Sequence, residues 1–246
     1  MKVTSLLIAS IVSIASAQAA TTITQWTFNG SASGTDVPST GVGTISNIVV
    51  TNTFANGAGS SDPALTGNSG YNTTGYPLQS VGSGTAGIGI AVSTVGFTAP
   101  AFTSLEVSFD LRLSNASSRW YRADYTTNGG TTWTFGTPTR LGVPLNVGDT
   151  WFNGNVLSIA DPAALNNAAF GARIVSVFSP VAFTQFNNNT AFAANTAYEV
   201  ARNTTSSYAG SGTWRFDMVT VTAVPEPSSA LLGGLGALAL IRRRRK

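Results

Sequence analysis

The side chains available for catalysis are few, because the 246-residue chain contains neither histidine nor cysteine. Histidine is the commonest general base and transition-metal ligand, so acid–base chemistry would fall to carboxylates. Glycoside hydrolysis needs two carboxyl groups about 5 to 10 Å apart. Glu106 and Asp110 lie about 13 Å apart on one predicted strand face, Asp124 can pair with either across strands, and Arg112 and Arg122 balance them as they would ordinary solvent-facing acids. We therefore predict no catalytic residue and no enzymatic activity.

Sugar binding is the second chemistry that the side chains allow. It uses exposed aromatic rings that stack on pyranose faces, together with polar groups that make hydrogen bonds. Trp120, Arg122 and Asp124 alternate along one predicted strand and share a face, so they are the predicted glycan contacts. Other aromatic residues can contribute either to such a surface or to the core: Tyr71, Tyr76, Tyr121, Trp133 and Trp151.

The C-terminal segment 224–246 has three parts. Val224, Pro225, Glu226 and Pro227 form an extended start, an uncharged apolar run covers 228–241, and the end is basic, with Arg242, Arg243, Arg244, Arg245 and Lys246. As a helix the run spans about 21 Å, against a hydrocarbon core of about 30 Å. It is thus a short transmembrane helix, and the basic end would stay in the cytoplasm while the body lies outside.

This order of Pro-Glu-Pro, apolar helix and arginine cluster resembles the bacterial PEP-CTERM sorting signal. The resemblance implies that an exosortase recognises the segment at the inner membrane and cleaves near the Pro-Glu-Pro motif. The body would then pass to the cell surface or the extracellular matrix. Residues 224–227 and the arginines would be sorting and processing residues, not catalytic ones. The alternative is an ordinary C-terminal membrane anchor.

Residues 1–19 have the form of a secretory signal peptide. Lys2 is a minimal positive start, an apolar stretch follows, and the small residues Ala15, Ala17 and Ala19 offer cleavage sites for signal peptidase. The alternative, an N-terminal anchor helix, is disfavoured because the apolar stretch is short.

The net charge changes when these two segments are set aside. The whole chain carries +3, but residues 18–227 contain seven arginines against all ten acidic residues, which gives about −3. The basic character therefore belongs to the C-terminal end, and we predict no nucleic-acid partner.

The remaining body, residues 20–223, has the pattern of an all-β domain. Short apolar or alternating runs are separated by Gly, Asn, Pro and Ser, and the clearest strand alternates Leu105, Val107, Phe109, Leu111 and Leu113 with polar residues. Asn128-Gly129 between two aromatic-rich strands predicts a hairpin with a type I′ turn. About ten to twelve strands predict a two-sheet antiparallel β-sandwich, jelly-roll-like, flanked by the signal helix and the short transmembrane helix.

The body also resembles, more loosely, carbohydrate-binding jelly rolls. Asp217 resembles an aspartate in the final strand of several such domains that helps to hold a structural calcium ion, for which Asn29 or Asp36 would be partners. The alternative is an ion pair of Asp217 with Arg215 or Arg173. No other cofactor is expected.

Three functions follow. The first is a non-enzymatic, exported matrix component or adhesin that contacts extracellular polysaccharide. The second is a structural coat protein without a ligand site. The third, a carbohydrate-active hydrolase, requires a close carboxyl pair in a cleft.

Overall fold

The computed structural model describes residues 19–30, 34–92, 102–142 and 147–225. These residues form fifteen β-strands: β1 Thr21–Trp26, β2 Thr40–Gly41, β3 Gly43–Ile48, β4 Thr51–Asn56, β5 Ser69–Thr74, β6 Gly87–Val92, β7 Phe102–Leu113, β8 Trp120–Thr126, β9 Thr134–Phe135, β10 Thr139–Arg140, β11 Thr150–Ile159, β12 Gly171–Ser176, β13 Phe183–Gln185, β14 Thr190–Phe192 and β15 Trp214–Pro225. A single-turn 3-10 helix covers Pro162–Ala164, and the Asp161 side chain caps it by accepting a hydrogen bond from the N–H of Ala163.

Two antiparallel sheets make up most of the body. The first sheet has the order β11-β7-β15-β1-β2, with β5 and β4 joined to the end of β15. The second sheet has the order β10-β8-β12-β6-β3, with β9 beside β8. Apart from the β2–β5 excursion, the main strands β1, β6, β7, β8, β11, β12 and β15 largely alternate between the sheets along the chain. The predicted all-β sandwich with jelly-roll connectivity is thereby confirmed.

The apolar core lies between the sheets. The five alternating apolar residues of β7 are buried to 1% exposure or less, and Trp26, Trp214 and Phe216 join them from the first sheet. Ile88, Ile90 and Ile174 close the core from the second sheet. Side chains at the intervening strand positions therefore point to the outer faces, where functional groups are available.

Local structure departs from the sequence pattern at two points. Residues 44–54, whose pattern suits one continuous strand, are divided between β3 and β4, because Val49 has a positive φ of 67° and turns the chain. In the β8–β9 hairpin the residues with positive φ are Gly129 and Gly130, so the turn lies one residue later than Asn128-Gly129 predicts. The Asn128 side chain instead accepts hydrogen bonds from Thr126 and Thr132.

Residues 1–18 of the predicted signal peptide 1–19, and the predicted transmembrane helix 228–241, lie outside the described residues. Among the residues that are described, no helix is long and apolar enough to span a bilayer.

Candidate functional site

The outer face of the second sheet carries the predicted glycan residues. Along β8, Tyr121 and Ala123 point into the core, so Trp120, Arg122 and Asp124 point outward as the alternation predicts. Asp124 is nevertheless 0% exposed. It is covered by side chains from the neighbouring strands, and its surroundings decide what the face can do.

Asp124 is held between two arginines. Arg122 donates from Nε and NH2 to the two carboxylate oxygens at 2.7 and 3.0 Å, and Arg173 on β12 donates from Nε to Oδ2 at 2.9 Å. The backbone N–H of Gly136 supplies a fourth hydrogen bond. With two cations against one anion, the triad carries one net positive charge.

Two aromatic rings lie over these arginines. The Arg122 guanidinium carbon is 4.2 Å from the centre of the Phe135 ring, and that of Arg173 is 4.3 Å from the Trp133 ring. Such cation–π stacking fixes both the guanidinium planes and the rings. Phe135 remains 64% exposed. We call these five residues, Arg122, Asp124, Trp133, Phe135 and Arg173, the aromatic platform.

Trp120 does not belong to this platform. It is 7% exposed, packs against Val175 and Val177, and its indole N–H donates to Glu199 at 2.7 Å. Trp120 therefore offers no open stacking face. Trp133 and Phe135 hold that position instead. The sequence pattern left Trp133 unassigned between core and surface and did not indicate Phe135, which lies on the short strand β9 after the Gly-Gly turn.

A second arginine–carboxylate–arginine triad was also missed. Glu199 is buried and accepts from Arg119 at 3.4 Å and from Arg140 at 2.5 Å. Burial lowers the pKa of Arg119, and the positive charge of Arg140 lowers it further. Glu199 lies in a loop far from β8 in sequence, and only the fold brings it to Trp120.

A groove runs beside the platform on the same face. Strand register aligns Phe135, Asp124, Arg173, Gly89 and Ser46 across five neighbouring strands. The next row contains Gly171 opposite Ala91. Gly89, Ala91 and Gly171 form the floor of the groove. Because these three residues are small, the face is indented there.

The groove has a volume of about 290 Å³. Trp133 and Gly130 line one side, and Ser46 and Ile48 line the other. Arg173 and Ser46 are separated by two strand spacings, about 10 Å, which is enough for a pyranose ring lying on edge.

The outer face of the first sheet has a different character. Asp110 on β7 and Asp217 on β15 are register partners, and both are buried beneath the loop that contains Ser60 and Ser61. Asp217 accepts from Ser60 Oγ at 2.6 Å, and Asp110 accepts from the N–H of Ser61 at 2.5 Å and of Gly154 at 2.8 Å. We call Asp110 and Asp217 the aspartate pair.

Among the described residues no arginine forms an ion pair with Asp217, so the predicted alternative of an ion pair with Arg215 or Arg173 is wrong. Arg173 pairs with Asp124, and Arg215 donates to the carbonyl of Asn56. Burial raises the pKa of Asp217 to about 7, and the charges of Asp62 and Asp110 contribute to the rise.

Oxygen atoms around Asp217 could serve as calcium ligands. The Oδ1 atom of Asn68 is buried and has no hydrogen-bond partner in the described part of the chain, and both it and Asp217 Oδ2 lie beside Gly57. A β-bulge at Met218, with a positive φ of 49°, directs Asp217 toward this point. These oxygens suit calcium.

The predicted calcium partners Asn29 and Asp36 make other hydrogen bonds. Asn29 donates to Asp62, and the Asp36 carbonyl accepts from Trp26. Within the described ranges, no three His, Cys, Asp or Glu side chains converge as a metal site. Asparagine, serine and backbone oxygens would have to complete the coordination.

The carboxylates considered for hydrolysis do not form a catalytic pair. Glu106 and Asp110 belong to the outer face of the first sheet, whereas Asp124 belongs to the outer face of the second, with the core between them. Asp110 is also buried instead of solvent-facing as predicted, because the loop around Ser61 covers it. The suggested cross-strand pairing with Asp124 is wrong.

The sorting residues begin inside the sandwich. Val224 pairs with Ser104 and Pro225 with Phe102, so β15 runs beyond the predicted body boundary at residue 223. Thr21, the first residue of β1, pairs with Ala223. Both ends of the body thus emerge side by side. Glu226, Pro227 and the four arginines 242–245 lie outside the described residues.

Comparison with known families identifies the C-terminal segment. Residues 223–246 match the PEP-CTERM protein-sorting motif. The predicted sorting motif is confirmed at the position where the sequence places it. No curated protein matches the chain.

Solved structures with a similar fold include two bacterial xylanase modules and one adhesin domain. The Clostridium thermocellum endo-1,4-beta-D-xylanase 10B CBM22-1-GH10 modules, complexed with xylohexaose, match at a TM-score of 0.45 and 11% identity, over 85% of this chain and 29% of that chain. The CBM22-1 xylan-binding domain of Paenibacillus barcinonensis Xyn10C matches at a TM-score of 0.41 and 11% identity, over 86% of this chain and 100% of that chain. The K2 cleaved adhesin domain of Lys-gingipain matches at a TM-score of 0.38 and 8% identity, over 82% of this chain and 97% of that chain. The chain therefore spans less than a third of the length of the first of these proteins.

Proposed function

We propose that the chain is a non-enzymatic surface protein, exported and sorted through its PEP-CTERM motif, whose second sheet contacts extracellular polysaccharide. The observation that carries the binding proposal is the aromatic platform beside the groove. Phe135 presents an open ring, Trp133 lines the groove, and arginine N–H groups lie next to both. Stacking surfaces with adjacent hydrogen-bond donors are what a pyranose chain requires.

Sorting would involve signal peptidase, an exosortase and a transient stay at the inner membrane, before transfer to the cell surface or matrix. The test is the intact mass of the protein recovered from outside the native cells. We expect the first 17 to 19 residues and the basic C-terminal end to be missing. Because Val224 and Pro225 are paired in β15, the cut should fall after Pro225. A mass that retains Arg242 to Lys246 would indicate an ordinary membrane anchor.

The residue that tests the motif is Glu226. We expect Glu226→Ala to leave folding intact and to block processing, whereas Glu106→Ala, the matched change on the outer face of β7, should leave processing normal. Normal processing of both variants would contradict the sorting proposal.

Polysaccharide contact can be tested by affinity electrophoresis of the full chain in detergent, through gels that contain polysaccharide extracted from the native cells. We expect the chain to be retarded, and Phe135→Ala to lose most of the retardation. Phe186→Ala is the control, since Phe186 is equally exposed, at 59%, but lies next to β13. Absence of retardation in the unmodified chain would favour the alternative of a coat protein without a ligand site.

We also propose that calcium binds where Asp217, Asn68 and Ser60 meet, and that its role is structural. The support is the Asn68 oxygen, which has no hydrogen-bond partner among the described residues and lies beside a buried carboxylate that none of the described arginines contacts. Calcium at 100 times its Kd would stabilise the native state by about 2.7 kcal/mol. We expect calcium chloride to raise the melting temperature above that in chelator at pH 8, and Asp217→Asn to abolish the difference. An unmodified chain that melts identically in both solutions would refute the site.

A further inference from the structure

We infer that the polysaccharide bound at the aromatic platform is acidic, a polymer of uronic acids or another carboxylated sugar. This inference rests on the proposed function and adds the chemical class of the ligand. It is carried by the distribution of charge over the body.

The two arginine–carboxylate–arginine triads lie close together on the second sheet. Arg140 on β10 is the register partner of Trp120 on β8, and Arg122 follows two residues later on the same face. Each triad holds one carboxylate between two guanidinium groups, so each has one positive charge in excess. Together they place two net positive charges on this side of the sheet.

The depth of these side chains also favours an anionic ligand, because the carboxylates are buried and the arginines lie nearer the surface. The carboxylates of Asp124 and Glu199 are 0% and 2% exposed, whereas the side chains of Arg140, Arg122 and Arg173 are 28%, 19% and 17% exposed. Solvent and any ligand therefore meet guanidinium groups, with the acids beneath them. No acidic side chain is among the described residues that line the groove.

The rest of the described body is acidic. It holds three arginines, Arg112, Arg202 and Arg215, against seven aspartates and glutamates. Four of the seven described arginines thus belong to the two triads, and the three that are partly exposed, Arg122, Arg140 and Arg173, lie on a body that is negative elsewhere. An anionic polymer would be repelled from most of the surface and attracted to the platform, which selects both the ligand and the face.

Hydrogen-bonding capacity remains for a carboxylate ligand. Arg173 uses its Nε for Asp124, and within the described part of the chain neither of its terminal nitrogens donates to another residue. Planar guanidinium groups bind carboxylates through paired N–H donors. A uronate stacked on Trp133 or Phe135 would bring its carboxylate to the edge of such a group.

The test compares two polymers with the same sugar backbone and different charge. Full chain in detergent is titrated at low salt with polygalacturonate and with fully methyl-esterified polygalacturonate, and polyglutamate supplies carboxylates without pyranose rings. We expect polygalacturonate to bind at least 10-fold more tightly than either. Its affinity should fall as sodium chloride increases, and the affinity for the ester should not.

Each other outcome is decisive. Equal affinity for the acid and its ester would overturn this inference and leave polysaccharide binding intact, whereas binding to no glycan, including the native polysaccharide, would remove the proposed function as well. Polyglutamate that binds as tightly as polygalacturonate would show that charge alone is recognised, which also overturns the inference.

A substitution in the aromatic platform distinguishes binding at that site from attraction to positive charge anywhere on the body. Arg173→Gln should lower polygalacturonate affinity at least 5-fold, with little change for the ester. Arg202→Gln is the matched control, since it removes the same charge from an exposed position outside the platform, and it should retain the affinity. If Arg173→Gln does not fold, the salt dependence of the unmodified chain still decides the question. Equal losses in both folded variants would argue against the platform.

Discussion

Asp124 and Asp217 are both 0% exposed, and both lie on the outward side of an interior strand, yet their surroundings differ in charge. Asp124 is enclosed by two arginines and a backbone N–H. Asp217 receives hydrogen bonds from Ser60 and from its neighbouring N–H, but no cation, and two further aspartates are nearby. The two outer faces thus each bury an aspartate, one beside cations and the other beside further carboxylates.

The difference shows what a buried carboxylate needs. Moving a carboxylate out of water is costly, and the cost is offset either by a cation or by taking up a proton. On the second sheet two arginines contact Asp124, so the cations outnumber the carboxylate by one. On the first sheet Asp217 has its pKa raised to about 7, so near neutrality it exchanges a proton or gains a bound cation.

The largest effect is expected from removing the charge of Asp124. Asp124→Asn leaves Arg122 and Arg173 close together and without their carboxylate. Breaking a buried ion pair in this way costs about 3 to 5 kcal/mol. Urea unfolding of the full chain in detergent measures it.

The control is Asp149→Asn, which removes the carboxylate partner of Arg112. That pair is solvent-exposed, so the loss should be below about 1 kcal/mol. Asparagine also tolerates the positive φ of 61° at this position. Equal destabilisation by the two substitutions would contradict the view that burial makes Asp124 different.

The next effect is the pH dependence that Asp217 confers. Its pKa is about 7 in the folded chain against 3.8 as the reference value. Between these values the native state holds a proton that the unfolded state has released. The Asp217 contribution to stability is therefore complete below pH 4 and is lost as the pH rises to 7, at no more than about 1.4 kcal/mol per unit.

The measurement is the stability of the unmodified chain minus that of Asp217→Asn, in chelator, from pH 4 to pH 8. Subtraction removes the contributions of the other carboxylates. We expect the difference to fall steadily and to level off above pH 7. A difference that is flat, or that rises with pH, would mean that Asp217 stays ionised over this range.

The strand pattern was predictable from sequence where it reflects local alternation. The alternating run of β7 has buried apolar residues at each expected position, and Trp120, Arg122 and Asp124 share the outer side of β8 as predicted. The sorting motif was equally visible, because it is contiguous. Such features depend on residues close together in the chain.

The site itself was only partly predictable, because it depends on contacts between distant segments. Arg122 and Asp124 were identified, but the partners that define them come from Arg173, 49 residues from Asp124, and from Phe135 on a two-residue strand. Alternation placed Trp120 outward without revealing that Glu199, 79 residues away, would bind it. Asp110 was expected to face solvent for the same reason, since its cover comes from a loop 49 residues earlier.

The smallest effect on stability, and the sharpest test of the open face, comes from Gly89 on the groove floor. Its φ is not in the left-handed region, so alanine is compatible with the backbone. The added Cβ would meet the Ser46 hydroxyl at 3.0 Å and Ile48 Cδ1 at 3.6 Å. Because the hydroxyl can rotate away, Gly89→Ala should change stability by less than about 1 kcal/mol.

The same methyl group would nevertheless raise the floor between Arg173 and Ser46, where the ligand is proposed to lie. We expect Gly89→Ala to weaken retardation in gels containing the native polysaccharide, with an unchanged melting temperature. Ser46→Ala, which removes an atom from the rim without raising the floor, is the control and should bind at least as well. Retardation that persists in Gly89→Ala would place the ligand on the exposed ring of Phe135 alone. In that case the small residues of β6 and β12 would serve sheet packing, and the outer faces would differ in charge but not in accessibility.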